Sequence, residues 1–285
     1  PTFNLYIRKH YEAGDDTLLA KWDVLGLDMD TPDSMLVLIK AINPDCKLLA
    51  FCPINGTYDQ AMRFPPQSKW RLIFETAAAN NWWLRNTNGG QVKDHGNKFT
   101  TNLTLNCPKN AQNQSIHDWF PGFINNTVLQ NGASLWDGVI LDDCWVGIWW
   151  VSIDTWLNPY PIDSNGDHIA DAQSVLDQSW SAGNDTLLSR LRRTMPPNKI
   201  LTGNGQNHWY QLNGAMIETF PFGNNPDPGS PASYSWNYTM FQNYGYFSNE
   251  DHYNNNPQRM NFLNAKWAVG SRYTSNQSTE YQRHK

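Results

Sequence analysis

Short runs of β-branched and aromatic residues recur along the chain, and each is followed by a stretch that can be helical. Residues 3–8, 22–28, 47–54, 137–143, 199–203, 214–219 and 259–267 read as strands. Between them, residues 33–42, 68–80, 115–130, 174–195 and 232–246 read as helices. The fourth helix carries the clearest pattern: Leu176, Trp180, Leu187 and Leu191 fall near one face, and Pro196-Pro197 stops it. Alternation of this kind implies parallel strands with covering helices, an α/β class. No Gly-rich phosphate turn follows the first strand, so a (β/α)8 TIM-type barrel fits better than a doubly wound sheet. The pattern supplies seven strands, and only 18 residues follow Trp267. The expected fold is therefore a barrel lacking its last β/α unit in this chain.

Two long connections interrupt the alternation, at about residues 82–114 and 145–173. The first is rich in Asn, Gly and Thr, the second in Trp and Pro. Loops that follow barrel strands build the active-site face, so both are expected to shape a groove. No internal repeat or low-complexity linker divides residues 1–285, which read as one domain.

Composition narrows the function. Of the 285 residues, 40% are apolar and 16% charged, enough to bury a large core. No apolar run approaches the roughly 18 to 20 residues of a membrane span, so a soluble protein is expected. The net charge of −5, with no basic block, argues against a nucleic-acid partner. Cys46, Cys52, Cys107 and Cys144 lack CxxC spacing and a nearby His pair, which argues against zinc. Sequons begin at Asn55, Asn102, Asn113, Asn125, Asn184, Asn237 and Asn276, and on their strength a secreted, extracellular glycoprotein is expected. The unusual feature is the 14 Trp, 12 Tyr and 12 Phe in an Asn-rich chain. Rings that are apolar on one face and wet at the edge suit a sugar, and carbohydrate is the expected partner.

The chemistry is concentrated at strand ends. "WDGVILDDCW", residues 136–145, is an apolar run that stops on Asp142-Asp143. If Ile140 points into the barrel, so does Asp142, and Asp143 turns away or starts the loop. A carboxylate at the C-terminal end of a barrel strand reads as catalytic. Glycoside hydrolysis needs a second one, and Glu218, in "NGAMIETFP", ends the sixth strand. Asp142 is assigned as nucleophile or base and Glu218 as the acid, with no cofactor required for the chemistry. Asp28, at the end of "WDVLGLD", and Asn204, after "KILTG", are candidate contacts to sugar hydroxyls. Asp143 is a further candidate contact, with Trp145 and Trp267 as stacking platforms.

The segment "DSNGDHIADAQS" places Asp163, Asn165, Asp167, the Ile169 carbonyl and Asp171 at the first, third, fifth, seventh and ninth positions of a calcium loop. His168 sits where the tight turn wants Gly, and Ser174 where a bidentate acid is usual. A structural Ca²⁺ and an Asx-rich turn without metal are both open readings.

The order of "WDGVILDDCW", "DSNGDHIAD", "WSAGNDTLLSRLR", "ILTGNG" and "LNGAMIETFP" resembles the motif order of hypothetical glycosyl hydrolase family fifteen. "LDDC" is also similar to the nucleophile strand of alpha-galactosidase-like barrels, which matches Asp142 rather than Asp143. The resemblance implies a (β/α)8 barrel and carbohydrate hydrolysis, and in such proteins the chain continues into a final strand. Two rival readings stand beside it. One is a non-catalytic carbohydrate-binding or structural barrel. The other is a metal-dependent hydrolase in which Asp142-Asp143 and a residue such as His10 hold an ion, although the chain has no HxH or HExxH motif.

Overall fold

Successive side chains along a strand point to opposite faces, so a parallel sheet must bury both of them. Here one face is covered by helices and the other curls around itself. The computed structural model describes residues 1–8, 10–94, 98–205, 209–218 and 259–264. In chain order its strands are β1 (Phe3–Tyr6), β2 (Val24–Asp28), β3 (Lys47–Pro53), β4 (Gly56–Tyr58), β5 (Arg85–Asn86), β6 (Lys93–Asp94), β7 (Lys98–Thr100), β8 (Gly138–Cys144), β9 (Ile162–Asp163), β10 (Ile200–Gly205), β11 (Gly214–Glu218) and β12 (Phe262–Asn264). Its α-helices are α1 (Asp15–Leu19), α2 (Asp33–Ile42), α3 (Lys69–Ala79), α4 (Ile116–Phe123), α5 (Trp149–Ser152) and α6 (Gln173–Thr194).

β1, β2, β3, β8, β10, β11 and β12 lie side by side in that order in one seven-stranded sheet, and every neighbouring pair is parallel. Alternation sorts their apolar residues into two layers. Val24, Leu49, Phe51, Ile140, Ile200, Met216 and Phe262 gather inside, with Phe3 and Leu5 packed against them. The intervening positions, among them Leu25, Leu48, Ala50, Val139, Leu141 and Leu201, join the larger core. Phe3 on one edge strand stacks on Phe262 on the other, with ring centroids 4.1 Å apart and planes 19° from parallel. The two edges of the sheet therefore meet across the interior, and the fold is a curled, partial TIM-like barrel.

All seven predicted strands belong to this sheet, and the predicted helix at 33–42 coincides with α2. The helix predicted at 115–130 breaks into α4, a π-helical turn at Ile124–Val128 and a 3-10 turn at Gln130–Gly132. Two local features explain the break. Pro121, inside α4, has no N–H to donate, and Asn131 has φ of 53°. The helix predicted at 232–246 lies outside the described residues.

The long connections, together with the segment after β3, contain structure that the pattern did not announce. β4, β7 and β6 form a three-stranded antiparallel sheet, and β5 pairs with β9. Strands of two or three residues are too short to display a period of two. The four cysteines are buried and free. Asn55, Asn102 and Asn184 are buried too, so three of the sequons have no room for a glycan while the fold is intact.

Helix α6 buries Leu176, Trp180, Gly183, Leu187 and Leu191 along one face. At Gly183 the chain crosses so closely that an added Cβ would overlap the Leu103 carbonyl oxygen and lie 2.9 Å from His117 Nε2. Alanine ordinarily favours a helix over glycine by about 1 kcal/mol. We predict the opposite sign here: Gly183→Ala loses about 2 kcal/mol or more in urea unfolding, because overpacking outweighs propensity. A variant as stable as the parent, or more so, would contradict this packing.

Candidate active site

The C-terminal ends of β2, β3, β8 and β10 open onto a cavity of about 630 Å³. Its walls include Phe51, Phe64, Trp70 and Tyr58, and its polar groups include Asp28, Thr57, Lys98, Asp142, Asp143 and Asn204. The position is the one where barrel enzymes carry out their chemistry.

Asp142 reaches the cavity by strand parity. Ile140 lies in the inner apolar layer, and Asp142, two residues on, pairs with Pro53 of β3, which also lines the cavity. From the other side Asn204 Nδ2 donates to Asp142 Oδ1 at 2.9 Å. Two residues picked out separately in the sequence thus form one contact.

The expectation for Asp143 is that it turns away or starts the loop; strand alternation is interrupted here, and Asp143 lines the cavity. Its φ is +58°, in the left-handed region that costs an ordinary residue of order 1 kcal/mol or more. Between the Leu141–Gly203 and Cys144–Gly205 pairs β8 advances three residues and β10 only two, so the strand bulges here. Bulges re-aim side chains and are common beside active sites. The extra residue turns Asp143 into the cavity beside Asp142 and returns Cys144 to the outer core. Gly205 makes the bulge possible: its φ is +127°, and a Cβ there would lie 3.1 Å from the Cys144 backbone.

The bulge is held by Lys98 of β7. Its ammonium contacts Asp143 Oδ2, Asp94 Oδ2 at 2.9 Å and Asn55 Oδ1 at 3.1 Å. Lys98 is only 5% exposed. Burial disfavours its charge, but the adjacent carboxylates of Asp143 and Asp94 prevail and hold its pKa above the ordinary lysine value. Trp145 Nε1 approaches Asp143 Oδ1 at 3.4 Å, so Trp145 packs beside that carboxylate and is not among the cavity-lining residues. The Cys144 thiol is pushed up by its burial and then by the Asp142 and Asp143 charges, which leaves it protonated and inert.

Asp28 is buried at the cavity floor. Trp70 Nε1 donates to both of its oxygens, at 3.0 and 3.2 Å, and the Asp30 N–H donates to Oδ1 at 2.8 Å. Thr57 lines the same cavity, and its buried hydroxyl has no hydrogen-bond partner among the described residues. A hydroxyl left in that state suits a ligand or a water, since buried polar groups are otherwise paired. Glu218 ends β11, its Cα in register with Asn264 of β12. Trp267 lies outside the described residues.

The 163–174 segment lies elsewhere, on the long loop that follows β8. Asp163, 2% exposed, accepts N–H bonds from Gly166 at 2.7 Å, Asp167 at 3.2 Å and His168 at 2.8 Å. Asn165 Nδ2 donates to Asp167 Oδ2 at 3.0 Å, and Asp167 Oδ1 accepts the Ile169 N–H at 2.8 Å. Asp171 Oδ2 accepts the Ser164 N–H at 2.6 Å. These oxygens thus stabilise the turn themselves. Among the described residues no three His, Cys, Asp or Glu side chains gather as a metal site requires, and His10 is exposed.

A sequence model of hypothetical glycosyl hydrolase family 15 matches residues 40–278. The chain belongs to that family. Among solved structures, this family 15 member is similar to the glycoside hydrolase domain of PelA from Pseudomonas aeruginosa. The two share 10% identity over 89% of this chain and 79% of that one, with a TM-score of 0.50, a likeness of fold alone. A variant of the same domain aligns at a TM-score of 0.44 with 10% identity, over 76% of this chain and 67% of that one. No curated protein matches significantly.

Sequence reading missed Lys98, Thr57 and Trp70. Lys98 and Thr57 stand on strands of three residues, which carry no pattern. Trp70 was visible in principle, as an indole in the first turn of a helix that Ser68 caps through the Arg71 N–H.

Proposed function

We propose that this family 15 member hydrolyses glycosidic bonds in an oligo- or polysaccharide, with Asp142 as nucleophile or base and Glu218 as general acid. The observation that carries the reading is the seat of Asp142. It lines the mouth cavity at the end of the middle strand of the sheet, oriented by Asn204 and walled by aromatic rings. Membership of a glycosyl hydrolase family supports the same class of reaction.

The topology is compatible with a carboxylate pair. β8 and β11 are separated by β10 alone, so the two backbones lie about 10 Å apart at about 4.8 Å per strand spacing. Asn204 pairs with Met216, and Glu218 follows two residues later, about 7 Å nearer the mouth. Backbone positions at this spacing leave room for a glycosidic oxygen and an anomeric carbon between the two carboxylates. In that mechanism the acid protonates the leaving oxygen while Asp142 attacks directly or activates a water. Asp28, Asp143, Asn204 and the Thr57 hydroxyl supply acceptors and donors for the ring hydroxyls, and Trp70, Phe51 and Tyr58 supply apolar faces.

The expected outcome is that Asp142→Asn lowers kcat for reducing-end release by about 10³-fold or more, roughly 4 kcal/mol of transition-state stabilisation, while fold and glycan affinity persist. Glu218→Gln shows a comparable loss that is smaller on substrates with good leaving groups. Near-parental turnover in Asp142→Asn would end the proposal. Glycan binding by the parent without cleavage would favour a non-catalytic carbohydrate-binding barrel. A structural Ca²⁺ on the 163–174 loop is a separate proposal that rests on oxygen spacing. It predicts a fall in melting temperature on adding EDTA, restored by Ca²⁺, and an unmoved melting curve would remove it.

A further inference from the structure

Asp142 and Asp143 are adjacent carboxylates turned into one cavity, and Asp28 adds a third. Among the described residues, the charged and titratable groups that line this space are Asp28 from β2, Tyr58 from β4, Lys98 from β7, and Asp142 and Asp143 from β8. Among the described residues lining the cavity, Lys98 is the one cation. Like charges in a shared site oppose one another's ionisation, so such a pair tends to retain a proton unless something offsets the repulsion.

Lys98 is placed for that task, against Asp143 and at the cavity wall. An ammonium has three N–H donors. Lys98 donates to Asp143 Oδ2 and Asn55 Oδ1 and is ion-paired with Asp94. The carboxylates beside it hold its pKa above the ordinary lysine value, which favours a fixed charge over proton donation. Its ion pair also fixes the left-handed Asp143 against the antiparallel sheet that carries β7.

We propose that Lys98 is a positioning residue whose charge, set against Asp143, offsets the repulsion between Asp143 and Asp142, so that Asp143 can accept glycan hydroxyls while Asp142 acts on the anomeric carbon. The catalytic half of this statement rests on the glycosidase reading. The linkage of charge does not, and the two can fail separately.

The test is a ¹³C-carboxyl NMR titration of aspartate-labelled protein, with Asp142 and Asp143 assigned by subtraction in Asp142→Asn and Asp143→Asn. In Lys98→Met, the protonation midpoint of Asp142 or Asp143 rises by about one pH unit or more. The double variant Lys98→Met/Asp143→Asn brings Asp142 back to within about half a unit of its parental midpoint, which a merely structural role for Lys98 would not do. Where turnover is measurable, the acidic limb of kcat/KM moves up in Lys98→Met by the same interval. Unmoved midpoints in folded Lys98→Met overturn the proposal. Should that variant fail to fold, Asp143→Asn decides: the Asp142 midpoint falls if the two charges are coupled, and an unchanged midpoint overturns the proposal. Moved midpoints in a parent protein that cleaves no glycan would leave the Lys98 linkage standing and remove only the glycosidase reading.

Discussion

The period of two along a β-strand constrains everything else in this molecule. Once parallel strands curl until Phe3 meets Phe262, every second side chain must fill a shared interior, and the last inward position of each strand opens at the mouth. Leu49, Phe51, Ile140, Ile200 and Met216 satisfy the first requirement, and Asp28, Asp142 and Asn204 occupy the second. The core and the candidate site are thus one alternation, apolar below and polar above. A carboxylate placed one residue earlier on β8 would replace an apolar wall residue, without partners for its charge.

The bulge on β8 is the local exception that gives the site its second carboxylate. It requires three features from three parts of the chain. Asp143 adopts a left-handed backbone, Gly205 admits the displaced Cys144, and Lys98 neutralises the redirected charge. Buried ion pairs of this type contribute little net stability compared with apolar packing, but losing one partner is costly, commonly 3–5 kcal/mol. That asymmetry makes the Asp94–Lys98–Asp143 cluster a strong tie between the antiparallel insertion and the end of β8, whatever ligand enters the cavity.

The parallel sheet was legible in the sequence because its strands are long enough to show their period, and α6 because its buried face repeats over several turns. Asp142 and Asn204 were each marked by the strand ends they close, but the contact between them is evident only in the structure. What escaped was non-local or short. Residues 82–114 read as a loop because β5, β6 and β7 are two or three residues each, and so Lys98 had no visible context. For Asp143 the pattern leaves open turning away or starting the loop, because alternation alone cannot foresee an inserted residue. The sequence does contain the compensating glycine, in "ILTGNG", but its purpose is evident only when β8 and β10 lie side by side.

In the proposed reaction Asp142 acts at the anomeric carbon of a sugar held in this cavity. The most direct test is a crystal structure of Asp142→Asn with an uncleaved oligosaccharide that the parent degrades. The distance read is that from the residue 142 side chain to the anomeric carbon of the scissile bond. About 3–3.5 Å is expected for direct attack, or one intervening water aligned between them for an inverting reaction. A scissile bond bound away from residue 142, with its anomeric carbon addressed by other groups, would contradict that role.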